Sequence, residues 1–299
     1  MINEAAPITL FVYNRIDHTR QCVEALRKNL LANESALIIF SDAAKDVGSQ
    51  NSVEEVRSYL KTIRGFTKIE IIERTNNFGL AKSIISGVTY VVNKYGRVIV
   101  LEDDLVTSPY FLIYMNKALD IYKNDDMVAS IHGYIYPVKK ALPETFFLRG
   151  ADCWGWATWK RAWDHFEQDG KKLLDEIQKQ DIEKEFDLDG SYPYTAMLEK
   201  QVSGKNNSWA IRWYASAFLK NMLTLYPGIS LVNNIGHDKT GVHGTQAKFY
   251  ETKISTREIR IGGIKIKENP DAKAIIAEYF RSLKPPFWKR ILRKARTWA

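Results

Sequence analysis

Short runs of β-branched and other apolar residues alternate with segments of helical spacing along the first third of the chain. Ile8–Tyr13, Ala36–Ser41, Lys68–Glu73 and Arg97–Glu102 read as strands. Between them, over about Asp17–Ala32, Ser52–Ile63 and Leu80–Lys94, apolar residues recur at helical intervals, as Cys22, Leu26 and Leu30 do and as Val53, Val56, Leu60 and Ile63 do. This alternation predicts a doubly wound, mostly parallel α/β sheet covered by helices on both faces. A further helix is expected after Leu105, with Ser108 as its cap and Pro109 in its first turn, and then a strand at Met127–His132.

The pattern then changes. From Asp152 to Trp163 the chain carries four tryptophans, Trp154, Trp156, Trp159 and Trp163, and Lys171–Asp189 is a charged helical stretch. An aromatic helix is expected at Ser208–Met222, ended by Tyr226-Pro227-Gly228, with a strand at Ile229–Asn233. There is no internal repeat, low-complexity segment or long linker. The division expected is a doubly wound, Rossmann-like half over residues 1–150, a second half over 151–270 built onto the same sheet, and a basic tail over 271–299.

Composition narrows the class. With 299 residues, 45% hydrophobic and 26% charged, the chain can bury a substantial core, which excludes a disordered or fibrous protein. No run approaches the ~18 apolar residues a bilayer span requires, and Met1–Pro7 lacks the basic and apolar pattern of a secretion signal. Two cysteines, Cys22 and Cys153, are too few for a disulfide framework, so a reducing cytoplasm is expected. The net charge of +8 invites a nucleic-acid reading, but Arg281, Lys284, Lys289, Arg290, Arg293, Lys294 and Arg296 supply nearly all of it and leave the body almost neutral. No nucleic-acid partner is expected.

The chemistry concentrates where the apolar strand Val98–Leu101 runs into Glu102-Asp103-Asp104. In open α/β sheets ligands bind beyond the carboxyl ends of the strands. Three adjacent carboxylates there repel one another unless a cation or donors neutralise them, which points to Mn²⁺ or Mg²⁺ holding a diphosphate. The alternative is a solvated acidic turn entering a helix.

A strand ending in Leu-Glu-Asp-Asp-Leu within such a sheet resembles the nucleotide-sugar domain of GT-A-fold glycosyltransferases, most closely N-acetylglucosaminyltransferase I and bacterial family 2-like enzymes. The resemblance runs from about Pro7 to Gly244 and implies further roles. Arg15, closing Pro7–Arg15, matches an arginine that touches the nucleotide, and Asp42, closing Ile38–Asp42, an aspartate that reads base or ribose. Lys82, in Asn77–Ser83, matches a diphosphate contact at a helix start. Asp104 takes the place of the direct metal ligand, and Asp103 lies near the ribose and donor sugar. Cys153–Trp159 resembles the segment lining the acceptor side, which makes Trp154 and Trp156 candidates for stacking on sugar, or else core residues of an aromatic-rich acceptor lobe. In Ile235–Gly244, His243 is the candidate second metal ligand, with His237 as its alternative.

The resemblance implies a UDP-sugar donor, a saccharide or lipid-linked saccharide acceptor, inversion at the anomeric carbon and a role in bacterial surface-polysaccharide synthesis. It breaks at the catalytic base. The family's aspartate between two tryptophans is replaced here by Trp209-Ala-Ile-Arg-Trp213, which leaves Asp152 and Glu199 as substitute bases and Arg212 as a possible charge partner for the diphosphate. Two alternatives follow: a non-catalytic nucleotide-sugar or glycan-binding protein, and a nucleotidyltransferase, against which the glycine-free Tyr13–Asp17 counts. Residues 284–299 set Phe287, Trp288, Ile291, Leu292, Ala295 and Trp298 at helical spacing against a basic face. Such an amphipathic helix suits an anionic membrane surface, and the expected location is peripheral, on the inner face of the cytoplasmic membrane.

Overall fold

The chain is described by a computed structural model, which covers residues 4–237 and 247–283. Four parallel strands, β1 (Ile8–Val12), β2 (Ala36–Ser41), β3 (Lys68–Glu73) and β4 (Arg97–Glu102), alternate with helices α1 (Ile16–Arg27), α2 (Gln50–Leu60) and α3 (Gly79–Tyr95). β1 is buried along its whole length, as an apolar run covered on both faces must be. β3 takes the sheet edge, where its charged ends, Lys68 and Glu73, discourage further pairing. α3 ends at Gly96, whose left-handed conformation (φ 76°) lets its N–H reach the Val92 carbonyl.

Beyond β4 come β5 (Leu105–Thr107), α4 (Phe111–Ile121), β6 (Val128–His132), β7 (Thr145–Arg149) and β8 (Trp156–Trp159). Helices α5 (Lys160–Trp163), α6 (Gly170–Lys179), α7 (Glu183–Phe186), α8 (Tyr194–Val202) and α9 (Trp209–Leu219) follow, then β9 (Leu223–Pro227) and β10 (Val232–Asn234). The last helices are α10 (Ala247–Tyr250) and α11 (Pro270–Leu283). Among the described residues the main sheet has the order β3-β2-β1-β4-β8-β6-β9-β7, with β8 and β7 antiparallel to their neighbours, and β10 pairs with β5 in a separate ribbon.

The doubly wound, mostly parallel sheet is the one the pattern predicts. The aromatic run is different: Trp156–Trp159 is a central strand wedged between β4 and β6, and the expected strand at Ile229–Asn233 is replaced by β9, which ends on Pro227, and the short β10. The charged stretch expected as one helix breaks into α6 and α7. Asp169 caps α6 by accepting from the Lys171 and Lys172 N–H groups, and Ser208 caps α9 by accepting from Ile211 N–H at 3.3 Å.

Two apolar layers sandwich the sheet. Ile8, Leu10, Leu37, Ile39, Ile99 and Leu101 face α1, α2 and α4, whereas Phe11, Ile38, Phe40, Val98 and Val100 face α3, α5 and α9. No described helix is long and apolar enough to cross a membrane. The tail over 284–299 lies outside the described residues.

Candidate active site

Strand register assembles the charged centre. β1 and β4 are neighbours with Phe11 opposite Glu102, so the residues just past each strand leave the sheet side by side. Arg15 stands at the N-cap of α1, and its Nη2 donates to Asp103 Oδ1 and, at 2.9 Å, to Asp104 Oδ2. Burial works against the Arg15 charge, yet the two aspartates outweigh it and hold the guanidinium above its usual range. Asp103 is 4% exposed; burial pushes its carboxyl up to about 6, with Arg15 pulling it down and Asp104 pushing it up. Glu102 is driven up to about 8 by burial and by both aspartates, with Arg15 opposing.

A late segment closes over this centre. β10 pairs with β5, the Ile235 N–H reaches the Asp104 carbonyl at 2.9 Å, and Gly236 N–H donates to Asn234 Oδ1. A Cβ on Gly236 would stand 2.1 Å from Asp104 Oδ2, so only glycine lets the backbone lie against that oxygen. Next to it His237 packs on Tyr250 and Trp154, with ring centroids 5.1 and 5.4 Å apart. Trp154 also meets Tyr134 edge-on at 4.8 Å, and its backbone N–H donates to His132 Nε2 at 3.1 Å. Burial pulls the His132 imidazole down to about 3 and keeps it a neutral acceptor.

Asp152 lies in a wall of tyrosines. Tyr226 Oη donates to its Oδ2 at 2.9 Å and Tyr136 Oη at 3.3 Å; burial raises the carboxyl, with these two bonds opposing. The adjacent Cys153 thiol is pushed well up by burial and by Glu102, Asp152 and Asp104, and the pairing of Trp156 with Val100 puts the 152–154 segment at the same end of the sheet as the triplet.

The sequence-predicted residues therefore divide. Arg15, Asp103 and Asp104 converge, and Asp152, Trp154 and His237 line the same end of the sheet. Asp42 does not remain available to read a base: its carboxylate accepts from the N–H groups of Ala43, Phe78 and Gly79 and from Asn77 Nδ2, clamping β2 to the start of α3. Lys82 rests 4.1 Å above the Phe78 ring and lines a groove shared with Arg212, whose walls contain none of the triplet. Trp156 is wholly buried against Trp163, Trp209 and Trp213, so it is core and offers no face to a sugar. Glu199 is exposed on α8, which packs on α6, α7 and α9. His243 lies outside the described residues. Pattern reading missed Gly236, Tyr136, Tyr226 and Tyr250; a glycine beside His237 was the visible signal for the first, and nothing local marked the tyrosines.

Hard oxygen donors on Asp103 and Asp104 suit Mn²⁺ or Mg²⁺ in chemistry, and the Arg15 guanidinium neutralises both carboxylates here. Among the described residues no group of three or more His, Cys, Asp or Glu side chains forms a complete metal set.

The family model described as glycosyl transferase family 2 matches residues 8–178, more than half of the chain. No curated protein matches it. Among solved structures, a mannosyltransferase from Pyrobaculum calidifontis, determined in complex with GDP-Man and Mn²⁺, is 12% identical with a TM-score of 0.31 and covers 45% of this chain and 36% of its own. TarS from S. aureus is 12% identical with a TM-score of 0.36 and covers 75% of this chain and 37% of its own. The chain thus spans little more than a third of the length of each.

Proposed function

The chain belongs to glycosyl transferase family 2, and from that premise we propose that it moves a sugar from a nucleotide-diphosphate donor, UDP-linked by preference, to a saccharide or lipid-linked saccharide, with inversion. One observation carries this reading: Arg15 from the end of β1 and Asp103 and Asp104 from the end of β4 meet as one charged centre at the carboxyl edge of parallel strands. A divalent cation, when bound, supplies charge neutralisation for the departing diphosphate. Asp104, beside Gly236, is the residue to hold it, with Asp103 next to it.

Asp152 is the better-supported base. It lies at the same end of the sheet as the triplet, two tyrosines fix its orientation, and burial raises its affinity for the acceptor's proton. Exposure on a remote helix counts against Glu199. Trp154 and Tyr250 offer half-buried aromatic surface for the acceptor. The basic tail brings the enzyme to an anionic membrane carrying that acceptor, in the service of surface-polysaccharide synthesis.

The test is calorimetric titration of UDP with and without Mn²⁺, on the unaltered protein and Asp104→Ala. Expected is Mn²⁺-dependent binding that the variant loses; a folded protein that binds none of UDP, GDP, CMP or dTDP would overturn the donor reading. Binding without turnover of any sugar nucleotide would favour a non-catalytic binding protein, a reading encouraged by the absence of an acid between Trp209 and Trp213.

A further inference from the structure

Arg212 is a buried cation that meets only neutral oxygens. It is 7% exposed, and its guanidinium donates to the Ser208 carbonyl at 3.2 Å, the Gln168 carbonyl at 3.1 Å and Asn207 Oδ1 at 3.4 Å. Among the described residues no carboxylate pairs with it, although a buried charge is ordinarily matched by an opposite one. Burial alone pulls its pKa down, with no acid acting in the other direction.

This guanidinium lines an open groove of about 560 Å³, within the roughly 300–1,000 Å³ that small-molecule sites occupy. Lys82 lines the same groove from α3, with no carboxylate pairing it among the described residues. The other polar walls are Ser86, Thr89, Tyr90, Gln168 and Asn207, and no acid contributes. Behind Ser86, Arg74 Nη2 donates to its Oγ at 3.2 Å and adds a third cation to this side of the molecule. The groove runs along α3 from Ala81 to Tyr90, about 13 Å at the helical rise.

We propose that this α3–α9 groove is an anion site, separate from the donor centre, that takes a phosphate-class oxyanion between Arg212 and Lys82. Guanidinium and ammonium groups with hydroxyl and amide donors beside them match tetrahedral oxyanions in charge and hydrogen bonding. A bound oxyanion supplies the counter-charge that Arg212 lacks, and the length of the groove leaves space for whatever carries the group. The site stands independently of the glycosyl-transfer reading, because none of the triplet lines it.

The experiment is calorimetric titration of inorganic phosphate and, separately, of glycerol 3-phosphate at low ionic strength, on the unaltered protein and on Arg212→Gln, Lys82→Ala, Lys82→Glu and Arg15→Gln. Saturable binding is expected, weakened at least tenfold in Arg212→Gln and Lys82→Glu, about threefold in Lys82→Ala, and less than twofold in Arg15→Gln. Preference for the ester assigns the oxyanion to an organic ligand, and preference for the free ion assigns it to phosphate itself. If Arg212→Gln fails to fold by circular dichroism, the exposed Lys82→Glu decides. The proposal is overturned if neither compound binds, if the Lys82 variants bind as the unaltered protein does, or if binding is lost only in Arg15→Gln, which would put the anion at the donor centre.

Discussion

A methyl group on Gly236 would collide with Asp104 Oδ2, because the late segment lies directly against the acidic triplet. Alanine at that position must displace either the carboxylate or the segment, since the neighbouring Ile235 N–H is fastened to the Asp104 carbonyl. Gly236→Ala is therefore expected to weaken Mn²⁺-dependent UDP binding at least tenfold while lowering Tm by less than about 5 °C. Calorimetry and a melting curve on the same sample check it, and an unchanged affinity would show that the position of Asp104 is immaterial. Arg15, Asp103 and Asp104 were legible as candidates because residue type and strand-end position are both written locally. Asp42 misled for the same reason: a strand-end aspartate looks alike whether it reads a ligand or, as here, caps the chain from Asn77 to Gly79.

At the scale of elements, β8 separates two uses of tryptophan. Its period of two sends Trp156 to the layer of α3 and α9 and Ala157 and Trp159 to the opposite layer, so one short strand anchors both cores. In sequence the spacing of Trp156, Trp159 and Trp163 mimics a helix face, and only pairing with β4 and β6 makes the first two a strand. Trp156→Ala is expected to cost about 3–5 kcal/mol of unfolding free energy. Trp154→Ala should cost about half as much, because solvent already covers part of that ring. Denaturant unfolding measures both, and equal losses would contradict the division between core and site.

For the molecule as a whole, the acidic centre carries a strain that pH reveals. Burial and both aspartates push the Glu102 carboxyl up to about 8 in the folded protein, whereas in the unfolded chain it titrates near the ordinary glutamate value of 4.5. Between those values the folded state binds more protons, so stability in the absence of metal falls as pH rises from about 4.5 to about 8. Glu102→Gln, always neutral, should flatten that decline. Urea midpoints in EDTA at pH 5 and pH 8 check the sign, and a midpoint that rises with pH in this range through Glu102 would refute it.

The sequence by itself determined the GT-A-like half: apolar runs of the length and branching of buried parallel strands, helices at the right period between them, and three acids at the end of β4. These follow from local periodicity, which any short window of the chain displays. The tertiary structure decided the rest: that Trp156–Trp159 enters the sheet, that Asp152 is pinned by Tyr136 and Tyr226, that Gly236 lies against Asp104, and that Arg212 is buried beside a groove without a counter-charge. Each of these depends on contacts between residues far apart in the chain, where burial and pairing outweigh what local spacing prefers.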